Sequence, residues 1–372
     1  MRAGAIIAAL PALLLLAAAS TPVPDVSHMS VLEGSAIIGR AEGGNVTALR
    51  NAPLLPGDTI STASGTLAEV QLAPGVALRL DGQTRAALTS LAFGRSELRL
   101  FKGTIAVSLT GGDAPQIDTP SIALRPDGPG RYRVSAGAGE SVIVVHRGEL
   151  RVITPNGTQF LGPGEQITID GPATSPHLSY AVVPPNDAFD GFNETRDAAR
   201  ASIRDELAPY GRWIQIKGYG SAWSPREFAG WAPYHSGRWL WRRGIGWTWI
   251  PRESWGWRPF HYGTWMHDPT RGWCWIPPPS ASAPWAASNA VFFAVVVNEH
   301  AQSLGWVPLA PRESYHATLN DYRNASAPGG ITILPFPRFY SGDFSQPSFP
   351  TLSQLPGRIV LQAPVERSLI SR

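Results

Sequence analysis

Indole rings offer the most distinctive chemistry in this sequence, because all fourteen tryptophans lie between Trp213 and Trp306. An indole has a flat apolar face, a quadrupole that attracts cations and one N–H donor. Exposed rings therefore stack on sugars or guanidinium groups, whereas buried rings form core. The spacing is regular: Trp213, Trp239 and Trp265 recur every 26 residues, as do Trp223, Trp249 and Trp275. Gly220, Gly246 and Gly272 keep the same register, and so do Pro225, Pro251 and Pro277. A fixed period of this length marks one supersecondary unit used several times.

Other reactive side chains are few. His235 and His261 occupy equivalent repeat positions, which points to a structural role such as accepting an indole N–H. His267-Asp268 belongs to the third copy alone and lacks the tight spacing of a metal site. Cys274, the single cysteine, rules out an intramolecular disulfide and reads as an inert thiol between Trp273 and Trp275. No nucleophile elbow, His-Glu-x-x-His run, phosphate-cradling glycine loop or cysteine pair is present. The expectation is a protein without catalytic residues, metal or cofactor. A hydrolase whose groups converge from distant loops stays open as an alternative.

Each repeat contains two apolar stretches around a turn, the pattern of a β-hairpin. Trp239/Trp241, Trp247/Trp249, Trp255/Trp257 and Trp273/Trp275 are two apart, so in strands each pair shares a face. Aliphatic residues are sparse here, and most rings are expected in the core. A minority are candidates for an exposed platform: Trp239, Trp241, Trp247, Trp257, Trp265, Trp273, Tyr234 and Tyr262, with Arg238 and Arg258 at the rim.

The remaining chain must position this slab. Gly 38 and Pro 35 with 16% charged residues favour many short strands. A net charge of +3 is too small to direct the chain to nucleic acid. Residues 1–20, with Arg2, an apolar run and the small residues Ala17 to Ser20, read as a cleavable export signal; retention as an inner-membrane anchor is the alternative. Residues 28–171 alternate strand-like runs with Gly/Pro turns, as in a β-sandwich or β-roll. Within them, Leu67–Leu72 and Val76–Leu80 alternate to give one buried and one wet face. Residues 172–208 read as a linker with a helix from Asn193, as its cap, to Leu207. The Trp-rich domain spans 209–324 and includes a buried strand at Ala290–Val297. Residues 325–372, rich in Pro and Phe, read as an extended or disordered tail.

Six motifs in the first region resemble a FecR domain: Leu55-Pro-Gly-Asp58 through Thr62, Leu80-Asp-Gly82, Leu98 to Gly103, Ile117-Asp-Thr-Pro120, Ser141 to Gly148 and Leu161 to Gln166. Such domains are periplasmic parts of regulators that read an outer-membrane transporter and control a sigma factor. Here only a signal-like peptide precedes the domain, so the resemblance implies export with a binding or scaffolding role rather than direct sigma control. The second region resembles an uncharacterised Trp-rich family that follows FecR domains in exported bacterial proteins, with Gly305 to Glu313 as its most specific stretch. The expected fold is mainly β: a FecR-type domain, one short linking helix and a hairpin-repeat domain. The expected function is an exported, non-enzymatic envelope protein, periplasmic or secreted, that contacts another protein or peptidoglycan. An accessory sensor touching a membrane partner is the alternative.

Overall fold

The computed structural model describes residues 26–92, 95–137, 139–198, 203–242, 245–280 and 283–362. The segment expected to be an export signal lies outside these residues. The first region runs β1 (His28–Glu33), β2 (Ala36–Gly39), β3 (Asn45–Thr47), β4 (Thr59–Thr62), β5 (Leu67–Ala73), β6 (Val76–Leu80), β7 (Arg85–Ala92) and β8 (Arg95–Leu109). It continues through β9 (Gln116–Asp118), β10 (Ala123–Pro126), β11 (Gly130–Gly137), β12 (Glu140–Arg147), β13 (Leu150–Thr154), β14 (Gly157–Leu161), β15 (Glu165–Asp170) and β16 (His177–Val182).

These strands form two layers that share β8. Its first half pairs with β7 and, in parallel, with β9, while its second half pairs with β6 and β11. The corner falls at Gly103, where φ is +91° and a Cβ would sit 2.5 Å from the Thr84 Cα. Only glycine fits both the left-handed backbone and that approach. Between the layers lies an aliphatic core that includes Leu78, Leu88, Leu98, Ile105, Val107, Ile143 and Ile167. The hairpin β13–β14 pairs Thr154 with Gly157, so its two-residue loop is Pro155-Asn156.

β6 is buried at every position, although its alternation predicts one wet face. The reason is α1 (Ala188–Ala198), which meets the outer side of this layer through polar contacts. Arg79, fully buried, bonds Glu69 at 2.8 Å, the Asn193 carbonyl at 3.0 Å and Asp197 at 2.8 Å. Arg133 bonds Asp187 and Asp190, both at 2.7 Å. The helix begins earlier than expected because Asp187 and Asp190 cap each other's backbone N–H groups. Asn193 is no cap: it is buried within α1, and its amide donates to the Phe189 carbonyl at 2.7 Å. A second helix, α2 (Ile203–Leu207), follows. The stretch read as linker also contains β16, which pairs with β15 along its length.

The second region contains β17 (Gly211–Ile216), β18 (Gly220–Pro225), β19 (Gly237–Arg242), β20 (Gly246–Pro251), α3 (Trp257–His261), β21 (Thr264–Asp268) and β22 (Gly272–Ile276). Then come β23 (Ala290–Val297), β24 (His300–Pro308), β25 (Thr332–Pro335), α4 (Phe336–Ser341) and β26 (Arg358–Gln362). Each repeat is a hairpin with an equivalent cross-strand indole pair: Trp213 opposite Trp223, Trp239 opposite Trp249, and Trp265 opposite Trp275. The first and third hairpins join through β18 and β22, while the second stands apart as β19–β20. Trp255 and Trp257 do not share a strand face, because α3 begins at Trp257.

The described residues of the tail, 325–362, are ordered. β25 pairs with β24, and β26 pairs with β23, so the continuous apolar strand at Ala290–Val297 has neighbours on both sides. Phe339 is buried against Trp247 and Trp306. Long-range partners for these aromatic residues, invisible in the weak local pattern, impose the order.

Candidate functional site

Eleven tryptophans are buried, and nine of them build one aromatic core with Tyr234, Phe260, Phe292 and Phe339. Trp249, Trp265, Trp275 and Trp306 are at most 1% exposed. Most ring pairs are edge-to-face or tilted, as between Trp231 and Trp265 at 5.4 Å and between Trp239 and Phe292 at 4.5 Å. That geometry aligns ring edges with ring faces and suits a packed interior. Indole N–H groups reach backbone carbonyls, Trp275 to Tyr262 at 2.7 Å and Trp306 to Tyr234 at 3.1 Å.

This packing removes much of the expected platform. Trp239, Trp265, Trp273 and Tyr234 are buried and offer no face to a ligand, and Trp257, 6% exposed, shows only an edge at the surface. Trp241, Trp247 and Tyr262 are half-buried, as is Arg258, while Arg238 is exposed. Trp241 and Trp247 stack edge to face at 5.5 Å, away from Tyr262 in the fold's connectivity, so the ten candidates do not form one patch. His235 and His261 are structural but accept no indole. Their rings lie 2.7 Å from the carbonyls of Gly329 and Ala286 and donate to them. Burial pushes both imidazoles down to about 4, so both are neutral donors at neutral pH. Burial also pushes the Cys274 thiol up to about 11. Among the described residues no cluster of three His, Cys, Asp or Glu side chains is arranged to hold a metal ion.

What the repeat does build is a joint with the first region. Asp58, fully buried, accepts from Arg40 at 2.7 Å, Arg242 at 3.1 Å, the Leu55 amide at 3.0 Å and the Ala41 amide at 3.1 Å. Arg242, at the end of β19, is 2% exposed and also bonds Glu42 at 2.7 Å. Burial, with Arg242 beside it, lowers the Arg40 pKa, while Asp58 opposes that shift. A carboxylate with four donors compensates two guanidinium groups in a space where an unpaired charge is costly. Nearby, the Asn51 amide donates to the carbonyls of Pro251 and Glu253 at 3.2 and 3.0 Å. His28 stacks on Trp257 with centroids 3.9 Å apart. The Glu253 carboxyl accepts from the Trp231 indole at 2.9 Å, and burial pushes it up to about 7.

Beside this joint opens a cleft of about 450 Å³, lined by the first region, both helices and the start of α3. Its volume falls in the range of small-ligand sites. Tyr210, 39% exposed, and half-buried Tyr262 supply aromatic faces. Glu206 and Arg258 form a 2.9 Å ion pair between α2 and α3. Arg50 also lines the cleft and has no ion-pair partner among the described residues. Three of the expected site residues, Trp257, Tyr262 and Arg258, thus line this cleft. Arg50, Glu206 and Tyr210 were not singled out, because no motif links side chains that converge from separate segments.

The fold defines a class of protein: a two-layer β-domain locked to an aromatic hairpin-repeat domain. Residues 58–151 match the family model described as FecR protein, and residues 204–313 match one described as a family of unknown function, DUF6600. The chain therefore carries a FecR domain followed by a DUF6600 domain. Two crystal structures of a candidate anti-sigma factor from Parabacteroides distasonis, at 2.50 and 1.65 Å, are 20% and 19% identical to it. Each alignment covers 33% of this chain and 59% of the other, with a TM-score of 0.30. The chain thus spans a little over half the length of the solved proteins it matches. No curated protein matches it. No helix among the described residues is long and apolar enough to cross a membrane.

Proposed function

We propose that this chain is an exported, non-enzymatic binding protein of the bacterial cell envelope. In this reading its two domains act as one body and hold a glycan of the peptidoglycan class in the cleft they share. The observation that carries the reading is the cleft itself, lined by residues of both domains and lying beside a buried ionic joint between them. Aromatic rings match the apolar C–H faces of a sugar, and flanking Arg, Glu, Ser and Thr side chains match its hydroxyl groups. Arg50 adds an unpaired cation for a carboxylate, which peptidoglycan carries. The test is retention of the purified chain on insoluble peptidoglycan. Wild type is expected in the pellet, with Tyr210→Ala and Arg50→Ala largely in the supernatant at unchanged thermal stability. Equal recovery of all three in the supernatant refutes the ligand class.

The FecR match supports a second reading, an accessory sensor that contacts a membrane protein. Cross-linking in intact envelopes separates the two, since a sensor yields a membrane-protein adduct that cleft variants leave unchanged.

A further inference from the structure

The first domain ends its sheet on an open edge. β16 is hydrogen-bonded to β15 on one side, and among the described residues no strand lies on the other. An open edge presents a row of backbone donors and acceptors to any extended chain. Edges are normally guarded by charge, proline or a covering loop, but residues 177–183 read His-Leu-Ser-Tyr-Ala-Val-Val and contain no Lys, Arg, Asp, Glu or Pro.

The register shows which face is unfinished. Leu178 pairs with Ile169, Tyr180 with Ile167 and Val182 with Glu165. Residues directly opposite share a face, and Ile167 and Ile169 are fully buried in the core. Leu178, Tyr180 and Val182 therefore lie on the core side. Leu178 packs against the core, whereas Tyr180 is 60% exposed and Val182 is 87% exposed. The apolar row of the inner layer thus runs past the last strand without cover.

We infer that β16 pairs antiparallel with β16 of a second copy, continuing the sheet across a two-fold axis. Self-pairing in one sheet keeps core faces on the same side only in alternate registers, because a one-residue slip inverts every side chain. The register centred on Tyr180 satisfies this condition. It sets Tyr180 opposite Tyr180, Leu178 opposite Val182 and Ser179 opposite Ala181, and all the core-side positions are apolar. No like charges meet, since His177 lies beside Asp170 outside the paired stretch. Pro184 and Pro185 end the pairing soon after Val182. The isologous arrangement closes as a dimer and leaves neither β16 edge open.

The test uses the full chain and two substitutions at an exposed position. Sedimentation equilibrium is expected to show a concentration-dependent dimer at tens of micromolar. Tyr180→Cys should form an intermolecular disulfide on mild oxidation, while wild type, whose buried Cys274 is a poor thiolate, should not. Tyr180→Lys opposes two cations across the axis and should weaken the dimer at least tenfold with unchanged far-UV circular dichroism and melting temperature. A wild-type chain that stays monomeric overturns the inference. So does a dimer that survives Tyr180→Lys while Tyr180→Cys fails to cross-link.

Discussion

Replacing Asp58 by Asn is the sharpest perturbation of the joint, because it removes the one carboxylate that both Arg40 and Arg242 share. Asp58 is fully buried, and the two arginine side chains are 6% and 2% exposed. The variant leaves two guanidinium groups close together with only Glu42, 38% exposed, to compensate them. Breaking a buried ion pair from one side costs about 3–5 kcal/mol. Arg242→Met should cost less, about 2–3 kcal/mol, because Asp58 keeps Arg40 and two backbone amides. The tryptophans provide a selective probe, since all lie in residues 213–306 and none in the first domain. In urea, indole fluorescence therefore follows the second domain, whereas far-UV circular dichroism follows both. Wild type should unfold in coincident transitions, and Asp58→Asn should split them. The double variant should be less destabilised than the sum of the singles, with coupling above about 1 kcal/mol. Coincident transitions in Asp58→Asn, with a loss below about 1 kcal/mol, would refute the claim that this cluster joins the domains.

Gly103→Ala should cost more than about 2 kcal/mol, since the site combines a left-handed backbone with a close approach to Thr84; thermal melting checks it. Glu253, pushed up to about 7 from 4.5, binds its proton more tightly folded than unfolded. Its charged form therefore destabilises the fold, and stability should fall by up to about 3 kcal/mol as pH rises from 4.5 through 7. In Glu253→Gln, urea titrations should lose that part of the pH dependence. His261, pushed down to about 4, is held neutral, so its contribution is present above pH 6.5 and is lost as pH falls toward 4. Urea unfolding of His261→Gln should show a correspondingly shallower acid decline. Acrylamide should quench only a minor fraction of native indole emission, carried by half-buried Trp213, Trp241 and Trp247.

Sequence period made the hairpins legible because a strand pair displays its partners locally: Trp239 meets Trp249 through a short turn, and the repeat copies that relation. It did not show which rings face water, because Trp257 and Trp265 are covered by elements far along the chain. The FecR motifs located Asp58 and Gly103, but not their roles. The partner of Asp58, Arg242, lies in another domain, and Thr84, which makes Gly103 obligatory, approaches through the fold of β8. The cap of α1 was legible in Asp187-Ala-Phe-Asp190, yet Asn193 carries the stronger single-residue cap signal and displaced it. The tail misled for the opposite reason. Phe339 and the strand at Thr332–Pro335 have almost no local periodicity, and their order comes from partners in Trp247 and β24. Cleft residues have no motif at all, because Arg50, Glu206 and Tyr262 converge only after both domains have folded.

The most direct test of a shared binding cleft is a fluorescence titration with a soluble peptidoglycan fragment, because Trp255 and Trp257 line that cleft and report its occupancy. The account predicts a saturable change in wild type, lost in Tyr210→Ala and in Arg50→Ala although both remain folded. A flat titration, or a change that both variants preserve, contradicts it.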